Sequence, residues 1–227
     1  MNQDHVAKDV PWGKRLIELL KRIDKPFVVS LFDDFILEEA VDIETLKECL
    51  GLMLKDKDIS AFYFLAIPGA DRSDGIHQKF NFLENFTDYK INSAPAIWRK
   101  KSLIKYTGDN DNPWAWEVFG TARTYFEKDR FYSLRNNDQM VFKYNYALGG
   151  AIRRGKWVAS VVIPLLERYK LSLDLTKRGI AGESLSEGRH SLKWKLKFIL
   201  LGYEMVGARS VVFILRAIGQ KLSRAIR

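Results

Sequence analysis

Two adjacent aspartates, Asp33 and Asp34, follow an apolar run with strand character at residues 27–32. In an open α/β sheet, ligands bind outside the carboxyl ends of the strands, because a crevice opens there. A pair of carboxylates can hold Mg²⁺ or Mn²⁺ by oxygen ligation, and such an ion neutralises a diphosphate that departs from a sugar. The alternative is that the two aspartates form a solvated turn between strand and loop.

Three tryptophans and two arginines have side chains suited to a sugar phosphate. Trp98, Trp114 and Trp116 can form an aromatic platform against the apolar face of a sugar. Arg99 and Arg123 are near enough in sequence to reach phosphate oxygens. The alternative for each tryptophan is packing in the core.

The glycine pair Gly149–Gly150 interrupts an apolar and aromatic run. A glycine pair allows a backbone to approach a ligand closely, and it also occurs in bulges. The sequence leaves both interpretations open.

The chain alternates helical and extended patterns, which is typical of an α/β fold with helices on the faces of a sheet. We expect the extended segment that contains Pro95 to lie near a sheet edge or a bulge, because proline cannot donate a ladder hydrogen bond. We also expect Pro164 to kink its helix. The predicted helices are 12–23, 42–53, 99–107, 114–128 and 158–169, and the predicted strands or extended segments are 27–32, 61–67, 89–98, 130–135 and 140–148.

The basic residues are concentrated at the C-terminal end. The net charge is +9, and most of it comes from residues 193–227, which contain eight basic residues and one acidic residue, Glu204. From position 209 onward, a period of 3.6 residues separates an apolar face that includes Leu215 and Leu222 from a basic face. The basic face comprises Arg209, Arg216, Lys221, Arg224 and Arg227, and Phe213 departs from the pattern.

Such a helix is typical of a segment that lies on an anionic membrane surface, where each cation contributes about 1 kcal/mol. The alternative is a helix packed on the main domain with a solvated basic face. We therefore predict a main domain over residues 1–190 and a basic amphipathic helical tail over residues 191–227.

Several classes of protein do not fit the composition. The single cysteine, Cys49, cannot form a disulfide within the chain, and the three histidines are too widely separated for a zinc site. We expect no nucleic-acid partner, since the basic residues lie opposite an apolar stripe and no RNA-binding motif is present. The N-terminal segment lacks the apolar centre of a signal peptide, and no apolar run is long enough for a membrane span, so we expect neither export nor spanning.

A series of four motifs between residues 12 and 179 resembles a group of bacterial glycosyltransferases that assemble lipopolysaccharide, capsule and related glycans. In chain order the motifs are PFVVSLFDDFIL, INSAPAIWRKKSLI, NPWAWEVFGTAR and GGAIRRGKW. The Asp-Asp turn alone is a weak signal, whereas the order of the other three is unusual.

The resemblance implies a GT-A-like fold, which is a partial Rossmann-like mixed sheet flanked by helices. It implies that Asp33 and Asp34 bind Mg²⁺ or Mn²⁺ and that Glu117 is the general base that takes the proton of the acceptor hydroxyl. The alternative for Glu117 is an acidic residue that complements a helix N-terminus. The implied donor is a nucleotide sugar, and the implied acceptor is a glycan or a lipid-linked glycan at the inner face of the cytoplasmic membrane.

The chain departs from this family before the acidic motif. Relatives have additional βα units there, which hold the base of the donor nucleotide, whereas this chain has about one helix. The resemblance then implies a shortened homologue, a fragment, or a partner chain that supplies the N-terminal half. The alternative function is a non-catalytic membrane-surface or scaffold protein that keeps the core without a complete donor site.

Overall fold

A computed structural model describes residues 10–146, 149–181 and 191–225, with the backbone alone for residues 192, 217, 218 and 220–225. The chain forms two compact units. The sheet unit comprises Met1–Leu31, Glu44–Met140 and His190–Arg227, and the loop unit comprises Phe32–Ile43 and Val141–Arg189. The described residues 191–225 are grouped with the sheet unit. A separate tail over residues 191–227 stays a prediction.

A five-stranded mixed sheet forms the centre of the sheet unit, in the order β1-β4-β2-β5-β3. The β2–β5 pair is parallel and the other three pairs are antiparallel. The carboxyl ends of β1, β2 and β5 therefore lie at the same end of the sheet as the beginning of β4. The strands are β1 Phe27–Ser30, β2 Ile59–Ala66, β3 Phe80–Phe82, β4 Ala96–Arg99 and β5 Arg130–Leu134.

Helices flank this sheet. The helices of the sheet unit are α1 Trp12–Arg22, α2 Ile43–Lys55, α3 Lys100–Lys105, α4 Pro113–Gly120, α6 Leu192–Val206 and α7 Arg209–Ala225. The N-terminus of α4 follows from local sequence, because Asn112 caps it by accepting from the backbone N–H of Ala115 and Pro113 occupies its first turn. A 3-10 turn, Thr121–Thr124, continues the chain after α4.

Aromatic side chains fill the core. The first six residues of β2 are buried, and Phe62 stacks on Tyr132 of β5 with a centroid distance of 4.9 Å. Cys49 is buried in α2, as expected for a small apolar side chain. The prediction of a mixed α/β sheet flanked by helices is confirmed.

A buried ion pair joins several helices of the sheet unit. The Asp111 side chain is 1% exposed and the Arg123 side chain 14%. Arg123 donates to both carboxylate oxygens of Asp111, to the carbonyl of Tyr106 at 2.9 Å, and to the carbonyl of Met205 in α6 at 3.1 Å. The Asp111 carbonyl accepts from the N–H of Gly13 in α1. The pair therefore connects α1, the end of α3, the turn after α4, and α6.

The loop unit contains short elements. A hairpin is formed by β6 Ile152–Arg153 and β7 Lys156–Trp157, and α5 spans Ala159–Tyr169 with Pro164 inside it. The turn of this hairpin needs positive φ, which Gly155 provides at +78°.

Four local predictions differ from the structure. The strand expected at 140–148 is absent in the described part of that segment, where Tyr144 makes only an isolated bridge to Leu37. The helix expected at 114–128 ends at Gly120 and continues as the 3-10 turn. The strand expected at 27–32 ends at Ser30. Pro95 stands before an inner strand, β4, where its carbonyl accepts from the N–H of Phe64, so of the two expected positions, an edge or a bulge, the edge is excluded.

Replacing Arg123 by Met should destabilise the protein by about 3–5 kcal/mol, because the Asp111 carboxylate would stay buried without its partner. Denaturant unfolding followed by circular dichroism measures this loss. Arg72→Met is the matched control, since Arg72 pairs with Glu84 on the surface at 3.2 Å and should contribute only about 0–1 kcal/mol. Equal losses in both variants would contradict a special role for the buried pair.

Candidate functional site

The acidic pair lies in the loop unit, where Asp33 is exposed and Asp34 is partly buried. The Asp34 carbonyl accepts a hydrogen bond from Ala151 at 2.6 Å. Burial raises the pKa of the Asp34 carboxyl, a backbone hydrogen bond opposes this, and the charge of Asp33 adds to the rise. A cation between the two carboxylates would offset the part of this rise that comes from the charge of Asp33.

Gly150 packs directly against Asp34. A Cβ at position 150 would overlap the Asp34 carboxylate and would lie 3.3 Å from the Phe35 ring. Gly149 has open space around it and a φ of +76°, so it serves the turn. The contacts of Gly150 therefore support the interpretation that its backbone closely approaches another group, and that group is the Asp34 carboxylate.

A cluster of four aromatic rings surrounds this turn within the loop unit. Phe32 and Phe35 lie 4.8 Å apart, and Tyr144 and Tyr146 pack on both of them edge-on or tilted. Burial raises the pKa of Tyr146, whose hydroxyl has no hydrogen-bond partner within the described residues. Asp34, whose carboxyl is partly desolvated by burial, is the chain neighbour of Phe35 in this cluster, whereas Asp33 is exposed.

A small cavity of about 120 Å³ lies beside this cluster and is lined in part by Phe35, Glu38, Gly149 and Arg168. Pockets that enclose drug-sized ligands typically have volumes of about 300–1,000 Å³. The cavity can therefore admit a small polar group but not a whole nucleotide sugar.

The donor set of the acidic pair fits one kind of metal site. In the described part of the chain, no three histidine, cysteine or acidic side chains come together as a metal-binding group. Mg²⁺ is usually held by one or two carboxylates, together with water and the phosphates of a substrate. Asp33 and Asp34 suit an ion that arrives with a diphosphate, rather than an ion enclosed by protein ligands alone.

Glu117 lies in the sheet unit, at the end of the sheet where β1, β2 and β5 finish. Its Oε1 accepts from the backbone N–H of Ser93 at 2.8 Å and from the Ser93 hydroxyl. Ser93 stands three residues before β4, and Ala96, the first residue of β4, pairs with Ser30 at the end of β1. In sequence, Asp33 follows Ser30 by three residues. Glu117 is therefore held, half-exposed, at the end of the sheet where open α/β folds bind ligands.

Two of the three tryptophans belong to the core, which contradicts the predicted platform. Trp98 and Trp116 are buried, with a centroid distance of 6.3 Å, and Trp116 donates from its indole nitrogen to the Tyr106 carbonyl. Their ring faces are occupied by protein and cannot stack on a sugar. Trp114 is 76% exposed and is the tryptophan of the three that remains available.

The two arginines predicted to reach phosphates have structural roles instead. Arg99 is buried and donates to the carbonyls of Ile59, Met53 and Asp56 near the end of α2. Arg123 is held in the buried pair with Asp111 described above. A phosphate would have to break these contacts, so both predictions of phosphate binding are corrected.

The basic residues predicted to face a membrane are partly engaged by protein. Arg209 donates to the Arg123 carbonyl at 2.9 Å, and Arg216 lies 4.6 Å from the centre of the Phe86 ring and donates to the Phe86 carbonyl. Leu215 is 64% exposed. The side chains of Leu222 and Arg224 lie outside the described residues. Among the described residues, no helix combines the length and apolar character that a membrane crossing requires.

The structure adds two residues that sequence reasoning missed. Ser93 orients Glu117, and its signal was a small hydroxyl residue immediately before the APAIW run. Lys90 is buried, and its ammonium has no hydrogen-bond partner in the described structure and lies 5.2 Å from the centre of the Phe131 ring. Burial lowers the pKa of Lys90 to about 8, against the opposing charge of Asp129.

A cavity of about 650 Å³ in the sheet unit is lined by charged residues of both signs, including Arg72, Glu84, Asp129 and Arg216. Neither Glu117 nor Ser93 lines it. Two of its charged residues pair with each other, Arg72 and Glu84.

Comparisons of the chain with protein-family models, with curated proteins and with solved structures found no match.

Replacing Gly150 by Ala should push the Asp34 carboxyl toward solvent and lower its pKa toward the ordinary value of about 3.9. Carbon-13 NMR titration of the Asp34 carboxyl, assigned with Asp34→Asn, measures the shift. Gly51→Ala is the control, because a Cβ at that helical position meets no atom and should leave the titration unchanged. An identical Asp34 titration in parent and Gly150→Ala would show that Gly150 does not position the carboxyl.

Proposed function

We propose that this chain is a GT-A-type glycosyltransferase that moves a sugar from a nucleotide-sugar donor to a glycan or lipid-linked acceptor in bacterial cell-envelope polysaccharide assembly. The motif series quoted above supports the family. The observation that carries the proposal is Glu117, a half-exposed carboxylate oriented by Ser93 at the carboxyl end of three strands. This is the position at which open α/β sheets bind and transform ligands.

Glu117 has the geometry of a general base. Within the described contacts, both hydrogen bonds from Ser93 reach Oε1, so Oε2 is the oxygen that can take a proton from the acceptor hydroxyl. In an inverting transfer, loss of this proton makes the acceptor oxygen nucleophilic as it attacks the sugar.

Asp33 and Asp34 are the residues proposed to hold Mg²⁺ or Mn²⁺. The ion, when bound, supplies positive charge that stabilises the departing nucleoside diphosphate. The role of Gly150 in this proposal is to leave room for the Asp34 carboxylate. Trp114, exposed in the first turn of α4, is the aromatic side chain proposed to contact a sugar.

The proposed location is the inner face of the cytoplasmic membrane, where lipid-linked acceptors are found. The concentration of basic residues after position 192 supports an anionic lipid surface as the partner. The exposed position of Leu215 on α7 supports the same location.

A second candidate function is a non-catalytic membrane-surface or scaffold protein with the same core. The burial of Trp98 and Trp116 and the structural roles of Arg99 and Arg123 favour it, since these four residues are already engaged within the sheet unit. Donor binding separates the two functions.

Changing both Asp33 and Asp34 to Asn should abolish Mn²⁺-dependent binding of UDP-glucose or GDP-mannose without unfolding the chain, because the pair lies at a solvent-accessible turn. Isothermal titration calorimetry with and without Mn²⁺ measures it. The control changes Asp71 and Asp109, two exposed aspartates of the sheet unit, to Asn. Equal donor affinity in the Asp33/Asp34 variant and the parent would refute the metal site, and no donor binding by the parent would favour the non-catalytic function.

Glu117→Gln should reduce turnover by about 10²- to 10⁴-fold, because the amide keeps the contact with Ser93 but cannot take a proton. Donor affinity should stay unchanged. The readout is release of UDP from UDP-glucose, or of GDP from GDP-mannose, with an added sugar as acceptor. Glu18→Gln, at an exposed site on α1, is the control. Full turnover in Glu117→Gln would remove Glu117 as the base.

A further inference from the structure

Helix α6 carries four large side chains on one solvent-facing side, which we call the outer face of α6. Its members, spaced as neighbours on one side of a helix, are Leu196, Ile199, Leu200 and Tyr203. Their exposed fractions lie between 44% and 63%. Two turns of helix therefore present an unbroken apolar strip.

The opposite side of α6 is already covered by protein. Gly202 packs on the ring of Phe119 in α4, where a Cβ would overlap that ring. Phe198 lies 5.0 Å from the same ring. The side of α6 with Phe198 and Gly202 thus holds the helix on the sheet unit. The outer face is not needed for this packing. A helix that is apolar on both sides is normally buried on both sides, so the open side indicates a partner.

Cations border the outer face. Lys193 and Lys197 lie beside it, Lys195 is also exposed, and Glu204 is the acidic residue of the helix. None of the ion pairs in the described part of the chain involves these lysines. An apolar strip combined with cations matches a surface that offers hydrocarbon beneath a layer of negative charge.

We propose that the outer face of α6 inserts into the headgroup region of an anionic bilayer, with Lys193 and Lys197 against lipid phosphates. A second copy of this chain on the same face would bring the lysines of both chains together, which opposes self-association. The inference deepens the membrane location proposed above and assigns the insertion to α6. It does not depend on glycosyl transfer, since lipid binding needs neither Glu117 nor the acidic pair.

The test is co-sedimentation of the full chain with two kinds of vesicle, phosphatidylcholine alone and phosphatidylcholine mixed with phosphatidylglycerol. We expect binding to the mixed vesicles that weakens as salt rises, because salt screens the lysines. Leu196→Glu with Leu200→Glu should weaken this binding by about ten-fold or more, since two apolar side chains leave the lipid. The matched control is Leu19→Glu with Leu54→Glu, two leucines of α1 and α2 with exposed fractions of 58% and 64%.

A second measurement does not need a disruptive substitution. In Leu200→Cys, an environment-sensitive fluorophore can be attached selectively, since the native Cys49 is buried. Its emission should shift to the blue on mixed vesicles and stay unchanged on phosphatidylcholine alone. An unchanged emission on both would overturn the inference.

Three other outcomes would also overturn it. The first is that the Leu196→Glu, Leu200→Glu variant binds mixed vesicles as tightly as the parent. The second is that Leu215→Glu alone abolishes binding, which would place the insertion on α7. The third is that the parent forms a dimer that the Leu196→Glu, Leu200→Glu variant does not form. If the parent binds neither vesicle, both this inference and the membrane location fail. Donor binding measured without vesicles still tests the proposed enzyme in that case.

Discussion

The ion pair between Arg123 and Asp111 is the interaction on which the arrangement of the sheet unit's helices depends. Removing two charges from water costs several kcal/mol per ion, so a buried pair persists only where further hydrogen bonds complete both groups. Here the remaining donors of Arg123 reach carbonyls at Tyr106 and Met205, and the Asp111 main chain binds Gly13. The need to satisfy one buried guanidinium thus determines where three distant chain segments meet.

The same requirement explains why several polar and aromatic residues are not available to a ligand. Arg99 satisfies carbonyls near the end of α2, and Trp116 satisfies the Tyr106 carbonyl. Glu117 with its Ser93 partner lies at the carboxyl ends of the strands and forms a small, well-oriented group. In the loop unit, the acidic pair and its glycine form a second group. A catalytic role for the chain depends on these few side chains, and not on the larger set that the motif series contains.

Helix α6 combines two kinds of apolar surface that hydropathy alone does not distinguish. The side with Phe198 and Gly202 is shaped to fit Phe119, and the absence of a side chain at Gly202 permits the close approach. The outer face has no such fit and is bordered by lysines. On α7, the ring centre of Phe213 lies 5.4 Å from that of Phe119, so the residue that departs from the predicted apolar stripe packs against the sheet unit.

The alternation of helices and strands can be predicted from local sequence, because side-chain periodicity and caps such as Asn112 act over a few residues. It also identified Asp33, Asp34 and Glu117 as candidate site residues. The burial of Trp98 and Arg99, the exposure of Trp114, the place of Pro95 before an inner strand and the contact of Gly150 with Asp34 depend on long-range packing and could not be predicted locally. The physical reason is that residue type and local spacing do not specify which side of an element other parts of the chain will cover. Contacts between residues far apart in sequence, such as Arg123 and Met205, determine which side is covered.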